Sequence, residues 1–348
     1  MYFKKSFFAL LSFLLVFVTI FTGCGESPEI EIITEDENPE TDIKKTEPEG
    51  NFKISDVYIG TAGNTALMGF AKLMDMEEKE EAYNSYHFSN SNTEDIISKF
   101  LNGDLDHIIV PADKAAVLYN SQDKNIRITG INVLGGIYII DTSNSVNSIS
   151  DLSNKTININ TENQNSLSEY ILKYIIDKNS IENVKINYVS NYDALINSDT
   201  SNESEIFMLC EPDITIISNK NTNIRKAIDI TKEWENISNE KNLPMYVTIT
   251  TAYYEEHHPR LLKHFIKECK KSAQFAIQNK DENSVLMEHF KIMDNSADSK
   301  KALENSNINF IDGTEMKDML NSLFNILYEY NPETLGGAIP DESIFHME

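Results

Sequence analysis

Arginine is nearly absent from this 348-residue chain, which holds only Arg127, Arg225 and Arg260. Together with a net charge of −25, that scarcity makes phosphate backbones and anionic lipid head groups poor partners, so no nucleic acid is expected. Cysteine is equally scarce, at Cys24, Cys210 and Cys269. No Cys/His spacing resembles a zinc site. The adjacent histidines of "EEHHP", His257 and His258, cannot share a helix face, so the stretch reads as a solvated helix start. Neither a metal nor a cofactor is expected. No internal repeat of fixed period occurs, and no nucleophile–base pair stands out. Long apolar runs are missing with one exception. Residues 7–21 are interrupted only by Ser12 and Thr19, a length that suits a signal-peptide core and falls short of the roughly 20 residues of a bilayer span.

Lys4 and Lys5 precede that run, and "FTGC" ends it. Small residues just before a cysteine have the form of a bacterial lipoprotein signal. Residues 1–23 are then the signal peptide, and Cys24 is acylated and becomes the first residue. The rival is an uncleaved anchor with an incidental cysteine. Both put the rest of the chain outside the cytoplasm and tied to a membrane. Residues 24–50 follow as a tether. From residue 26 on they carry ten acids against Lys44 and Lys45, with three prolines and no aromatic residue. Such a stretch buries too little apolar area to offset its ordering entropy, and its like charges keep it extended.

Residues 51–348 are long enough for one large or two medium domains, and their pattern alternates strand and helix. "FKISDVYIG" reads as a strand, followed by a helix in "NTALMGFAKLMDME" with Asn64 as its N-cap. "AYNSYHF" is a strand. "NTEDIISKFLNGD" is a helix with Ile96, Ile97, Phe100 and Leu101 on its buried face and Gly103 as its stop. "LDHIIVPA" is a buried strand with a helix, "DKAAVLYNS", beginning beside it, and "IRITGINVLGGIYII" is a long strand region punctuated by glycines. A second unit begins near "SISDLSNKTININ". Its helix "SLSEYILKYIIDKNS" opens with a capping box, Ser166 and Glu169. "VKINYVS" and "EIFMLCEP" are strands around a helix in "NYDALINS". After "LPMYVTITTAYY" the remainder reads as helical, with Leu261, Leu262, Phe265, Cys269, Ala273 and Ala276 at helical spacing. The alternation argues for a three-layer α/β fold with largely parallel strands, and such sheets bind ligands outside the carboxyl ends of their strands.

Six stretches then carry a family likeness, in order along nearly the whole chain after the tether. They are "NGDLDHIIVPADKAAVLYN", "GINVLGGIYII", "SISDLSNKTI", "EIFMLCEPDIT", "DITKEWEN" and "DGTEMKDMLNSLFNILYEYNPETLGGAIPDE". In them the chain resembles the extracytoplasmic solute-binding proteins of ABC importers, of the sulfonate/nitrate/thiamine-precursor type. The resemblance implies a two-lobed type-II periplasmic binding protein fold, each lobe a mixed sheet flanked by helices. Lobe one would comprise residues 51–140 and 245–348, and lobe two residues 141–244. The chain would cross near Ile137–Asp141 and return near Pro244–Thr251. The two remaining cysteines would fall on different lobes and stay unpaired. The partners implied are a small-molecule ligand, permease and ATPase subunits, and the membrane through the lipid anchor, with the protein itself a monomer.

The ligand-contacting positions implied by the family's cleft loops are Asn64, Thr65 and Ala66, then Pro111, Ala112 and Asp113, then Asn132, Leu134 and Gly135 before the crossing. Across the cleft they are Asn163, Asn165 and Ser166, then Glu211 and Pro212. Two departures stand out: Ala66 replaces a customary threonine hydroxyl, and Asp113 adds a charge where Thr-Asn is usual. Each position also has a plainer reading. Asn64, Asp113 and Ser166 serve as helix caps, Gly135 and Gly136 permit a bend, and Glu211, after a buried strand, needs a partner. Trp234 reads as lobe packing, and Tyr138 as a stacking surface or part of the hinge. If Asp113 and Glu211 both face inward, the cleft is acidic and suits a neutral or cationic solute, such as an amine or an aminopyrimidine thiamine precursor. The alternatives are an enzyme of cofactor biosynthesis on the same fold, and a sensor lipoprotein.

Overall fold

The computed structural model describes residues 55–197, 205–238 and 240–347. The signal peptide, Cys24 and the tether lie outside the described residues. Both sheets of the fold belong to one compact unit, Gly50–Glu348.

The first sheet holds β1 (Asp56–Ala62), β2 (Ser85–Ser91), β3 (His107–Pro111) and β4 (Ile126–Leu134). The second holds β5 (Ile137–Asp141), β6 (Thr156–Asn160), β7 (Lys185–Val189), β8 (Ile206–Cys210) and β9 (Arg225–Asp229). The chain then returns to the first sheet with β10 (Pro244–Thr251) and β11 (Asn307–Ile311). The strand orders are β11-β4-β10-β3-β1-β2 and β7-β6-β8-β5-β9.

Each sheet is mixed in the same way. Strands β2, β1 and β3 run parallel, as do β7, β6 and β8. The strand arriving from the other lobe is antiparallel in each: β10 beside β3 and β4, and β5 beside β8 and β9. The strand–helix reading "largely parallel" therefore holds only for the βαβ portions of each lobe. The crossings impose the reversals, because a strand entering from the opposite lobe has no crossover helix to turn it parallel.

Helices cover both faces. Pro259–Gln278 buries Leu261, Leu262, Phe265, Cys269, Ala273 and Ala276, the stripe its spacing predicts. Thr93–Leu101 is capped by Asn92, whose side chain accepts from the Asp95 N–H at 2.9 Å. It buries Ile96 and Phe100 and leaves Leu101 46% exposed, so its apolar face is narrower than expected. Cys210 and Cys269 are free.

Four local readings are corrected. Gly63, not Asn64, stands at the N-cap, and its φ of 90° is open to glycine alone at no steric cost. The 166–169 box is half formed: Ser166 Oγ accepts from the Glu169 N–H, while Glu169 Oε2 accepts from the Asn165 N–H at 2.6 Å. The stretch after residue 251 is not all helical, since β11 pairs antiparallel with β4. Strand β9, in a stretch with no assigned element, forms the edge beside β5.

Candidate functional site

Strand β3 delivers the first acid. It ends at Pro111, which has no N–H to continue the ladder, and a helix, Ala112–Ser121, starts at the next residue. Asp113 lies in its first turn, where a helix N-terminus favours negative charge. Burial outweighs that help. The side chain is fully buried, and neither carboxylate oxygen accepts a hydrogen bond. Lys114 Nζ stands 3.7 Å from Oδ2 and is itself about one-third exposed. Desolvation pushes the Asp113 carboxyl up to about 6, against the pull of Lys114.

The surroundings of Asp113 come from both lobes. Tyr246 on β10 is in register with Pro111. Burial raises its phenol, and Cys210, Asp113 and Asp213 add to the rise. Tyr170, on the lobe-two helix Leu167–Lys178, is raised by burial and then by Asp113 and Glu169. Asp113 thus acts on a tyrosine of each lobe.

Strand β8 delivers the second acidic turn, with the same local grammar. "IIVPAD" in lobe one and "MLCEPD" in lobe two each run from a buried strand through a proline to an aspartate, with the proline one residue later in the second. Glu211 is buried and fully engaged. Lys226 Nζ lies 2.7 Å from Oε1, and Thr215 donates to Oε2 from its hydroxyl at 2.8 Å and its N–H at 3.3 Å. Lys226 also sits 4.3 Å above the Tyr138 ring. Glu211 therefore has the partner a buried carboxylate needs, and it is not a free charge. Asp213 opens the helix Asp213–Lys220. Burial, then Glu162 and Glu211, push its carboxyl up to about 6. The sequence reading passed over Asp213, which follows Pro212 directly, whereas Ala112 separates Asp113 from Pro111.

The lobes touch at the turn after β8 and at outlying points. The Thr65 hydroxyl donates to the Glu211 carbonyl at 2.8 Å. Lys301 donates to Asn219 at 2.9 Å, and the Tyr138 hydroxyl reaches the Asn305 carbonyl at 3.4 Å.

The remaining predicted positions divide by place. Asn64 accepts from Asn90 at 2.7 Å on an exposed edge, whereas Ala66 and Ala112 are buried in lobe one. Asn132 accepts from the Thr248 hydroxyl at 2.8 Å inside the first sheet, and Leu134 is buried at the end of β4. Gly135, with φ of 59°, donates its N–H to the Leu243 carbonyl at 2.8 Å and leaves no room for a Cβ against Thr231. Asn163 and Asn165 lie in the turn before Ser166, four residues ahead of Tyr170. Pro212 follows Glu211 through a cis peptide and is buried. The charge of Asp113 helps to raise the phenols of Tyr246 and Tyr170, and the structure brings Thr65 and Glu211 together at the lobe contact. It commits Asn132 to the sheet and Ala66 to the core.

A cavity of about 420 Å³ opens in lobe one, lined among others by Leu67, Met74, Phe88, Phe290 and Ile292, and of the predicted ligand-contacting residues it takes in Asn64. It does not include Asp113 or any lobe-two residue, so its size does not make it the candidate site. Among the described residues no cluster of His, Cys, Asp or Glu is arranged to hold a metal ion. No helix there is long and apolar enough to cross a membrane.

Two mixed α/β lobes, joined at crossing strands and touching through strand–helix turns, define the two-lobed type-II periplasmic-binding fold. The comparisons with known proteins agree. The family model described as NMT1/THI5 like matches residues 117–283. An ABC transporter structure from Parabacteroides distasonis superposes with a TM-score of 0.69 at 16% identity, covering 84% of this chain and 99% of its own. The periplasmic aliphatic sulphonate binding protein from Escherichia coli gives 0.63 at 11% identity, over 82% and 90%. The alkanesulfonate-binding protein from Xanthomonas axonopodis pv. citri, bound to MOPS, gives 0.62 at 9% identity, over 85% and 100%. No curated protein matches the sequence significantly. The resemblance read from the six stretches is thus met by the family match and by the shared fold. At these identities the neighbours' ligands do not transfer.

Proposed function

We propose that the chain is a lipid-anchored solute-binding protein of an ABC importer, which holds a small cationic solute between its lobes and hands it to a permease driven by an ATPase. The observation that carries the ligand class is Asp113, a buried carboxylate with no hydrogen bond to either oxygen. Lys114, 3.7 Å away and partly exposed, offsets the cost of that buried charge only in part, and a bound ammonium or protonated ring nitrogen offsets the rest. An anion is disfavoured there. Two like charges about 4 Å apart interact by about 4 kcal/mol at an effective dielectric of about 20, roughly a thousandfold in affinity. The arginines that would suit a sulfonate are engaged elsewhere. Arg127 pairs with Glu255, Arg225 with Asp141, and Arg260 lies over Tyr83. Binding is favoured over covalent chemistry because burial first, then Asp213 and Glu211, push the Cys210 thiol up to about 12, which leaves it a poor nucleophile.

The anchor rests on the sequence "FTGC" and Cys24. Thermal-shift titration of the purified protein with a primary amine, an aminopyrimidine and an alkanesulfonate tests the ligand class. Stabilisation by the amine or the pyrimidine is expected, and stabilisation by the sulfonate alone would overturn the reading. Metabolic labelling with a radiolabelled fatty acid tests the anchor, with label expected on the parent protein and none on Cys24→Ala.

A further inference from the structure

Two of the groups through which the second sheet reaches lobe one share a single cation. In that sheet β5 lies between β8 and β9, and Lys226 on β9 is in register with Ile140 of β5. To meet the Glu211 carboxylate beyond β8, at 2.7 Å, the Lys226 side chain therefore crosses β5. The ring it passes over is Tyr138, whose centre lies 4.3 Å from the ammonium. Both groups it holds also touch the other lobe. The Glu211 carbonyl accepts from the Thr65 hydroxyl at 2.8 Å. The Tyr138 hydroxyl donates to the Asn305 carbonyl at 3.4 Å, at the end of the helix Ser296–Asn305. The Glu211 N–H donates to the Gly136 carbonyl at 3.2 Å, next to the crossing into β5. Among the described residues no other cation pairs with Glu211, whose side chain is 1% exposed against 32% for Lys226.

We propose that Lys226 is the positioning residue of lobe closure: its ammonium fixes the Glu211 turn and the Tyr138 ring together, and so sets both contacts that these residues make with lobe one. This rests on the two-lobed solute-binding reading above and adds a control of the same site. Lys226 makes no hydrogen bond with Thr65 or Asn305, so its effect on them passes through Glu211 and Tyr138. The charge does the holding. A neutral side chain in its place leaves a buried carboxylate without a counter-ion, which must turn toward water or admit it, and frees the ring from its cation. Both contacts then loosen together. Arginine keeps the charge, pairs with carboxylates and stacks on aromatic faces, so it can take over the role.

Single-molecule energy transfer tests this on the full chain, with and without n-butylamine. Dyes are carried by keto-bearing residues introduced at exposed Asn102 of lobe one and exposed Lys185 of lobe two, and the signal gives the ratio of closed to open molecules. Thr65→Val alone should lower that ratio roughly fivefold, the worth of one neutral hydrogen bond. Lys226→Met should lower it at least as far, because two contacts loosen. In the Lys226→Met background Thr65→Val should add less than about twofold, because its contact is already weakened. Lys226→Arg should restore both the ratio and the effect of Thr65→Val. If Lys226→Met does not fold, Lys226→Met combined with Glu211→Gln removes the ion pair without leaving a bare carboxylate, and the same loss is expected. An ion pair that serves only the stability of lobe two would lower the urea midpoint and leave the ratio unchanged, which overturns the proposal. So does a full effect of Thr65→Val in the Lys226→Met background, or a parent protein with no closed molecules in either condition. A ratio that responds to Lys226→Met but not to n-butylamine supports the positioning role and counts against the amine reading alone.

Discussion

Asp113 carries two opposed consequences, and both can be measured on one residue. Its carboxyl is raised from an ordinary 3.8 to about 6 by burial. A raised carboxyl means the fold favours the neutral acid. The contribution to stability is therefore complete below about 4 and is lost as pH rises through about 6. A shift of about two units corresponds to about 3 kcal/mol. Asn is nearly isosteric with the neutral acid and does not titrate. Ligand-free Asp113→Asn should thus gain on the parent protein by about 3 kcal/mol between pH 4 and pH 7, read by urea denaturation at both pH values. A gap that stays constant with pH would show that Asp113 is neutralised in the fold, contrary to its lack of hydrogen bonds. Amine affinity should move the other way, falling in the parent as pH drops through about 6, because protonation removes the charge that the ligand meets. Loss of binding together with a more stable apo protein is the signature of a strained functional group.

At the scale of elements, the crossing between β4 and β5 depends on Gly135 and Gly136, with φ of 59° and 79°. A Cβ at Gly135 would fall 2.2 Å from Thr231 Oγ1, whereas at Gly136 nothing lies within 4 Å. Gly136→Ala should cost roughly 1–2 kcal/mol from the left-handed backbone alone. Gly135→Ala should cost about 1–3 kcal/mol more, because Thr231 must move and its hydroxyl also accepts the Gly136 N–H at 3.2 Å. Thermal denaturation should rank the two in that order, and adding Thr231→Ala to Gly135→Ala should recover part of the difference. Equal costs would place the strain in the backbone only. The glycine pair was legible in the sequence as a bend, and so were the helices with a full apolar stripe, such as Pro259–Gln278. The short strands were not. "NINFI" and "RKAID" carry five residues each, too few for period-two alternation to outweigh their polar neighbours; pairing with β4 and β5 makes them strands. The site was legible in part for a related reason. Asp113 and Glu211 both announced themselves as acids after buried strands, but only tertiary packing decides which one finds a cation. Lys226 reaches Glu211 from β9, a strand the sequence did not reveal, and Asp213 was hidden behind the more conspicuous Glu211.

At the scale of the whole molecule, closure depends on few direct contacts. The bond from Thr65, in the helix after β1, to the Glu211 carbonyl, at 2.8 Å, links lobe one directly to the turn after β8. A neutral hydrogen bond of this kind contributes about 1 kcal/mol net. Thr65→Val keeps the branched shape and removes the donor. The open state has no such bond to lose, so the substitution should act on the closed, ligand-bound form and shift the closure equilibrium by roughly fivefold. That shift belongs to dissociation, because encounter takes place with the lobes apart and the bond forms afterwards. Stopped-flow displacement of a bound amine should show release accelerated about fivefold with the association rate nearly unchanged. A slower association with unchanged release would instead make Thr65 part of the entry surface, and the two lobes would then have to be held together by the solute and by other contacts, such as those of Tyr138, Asn219 and the Tyr330 hydroxyl, which donates to Asp177 at 2.8 Å.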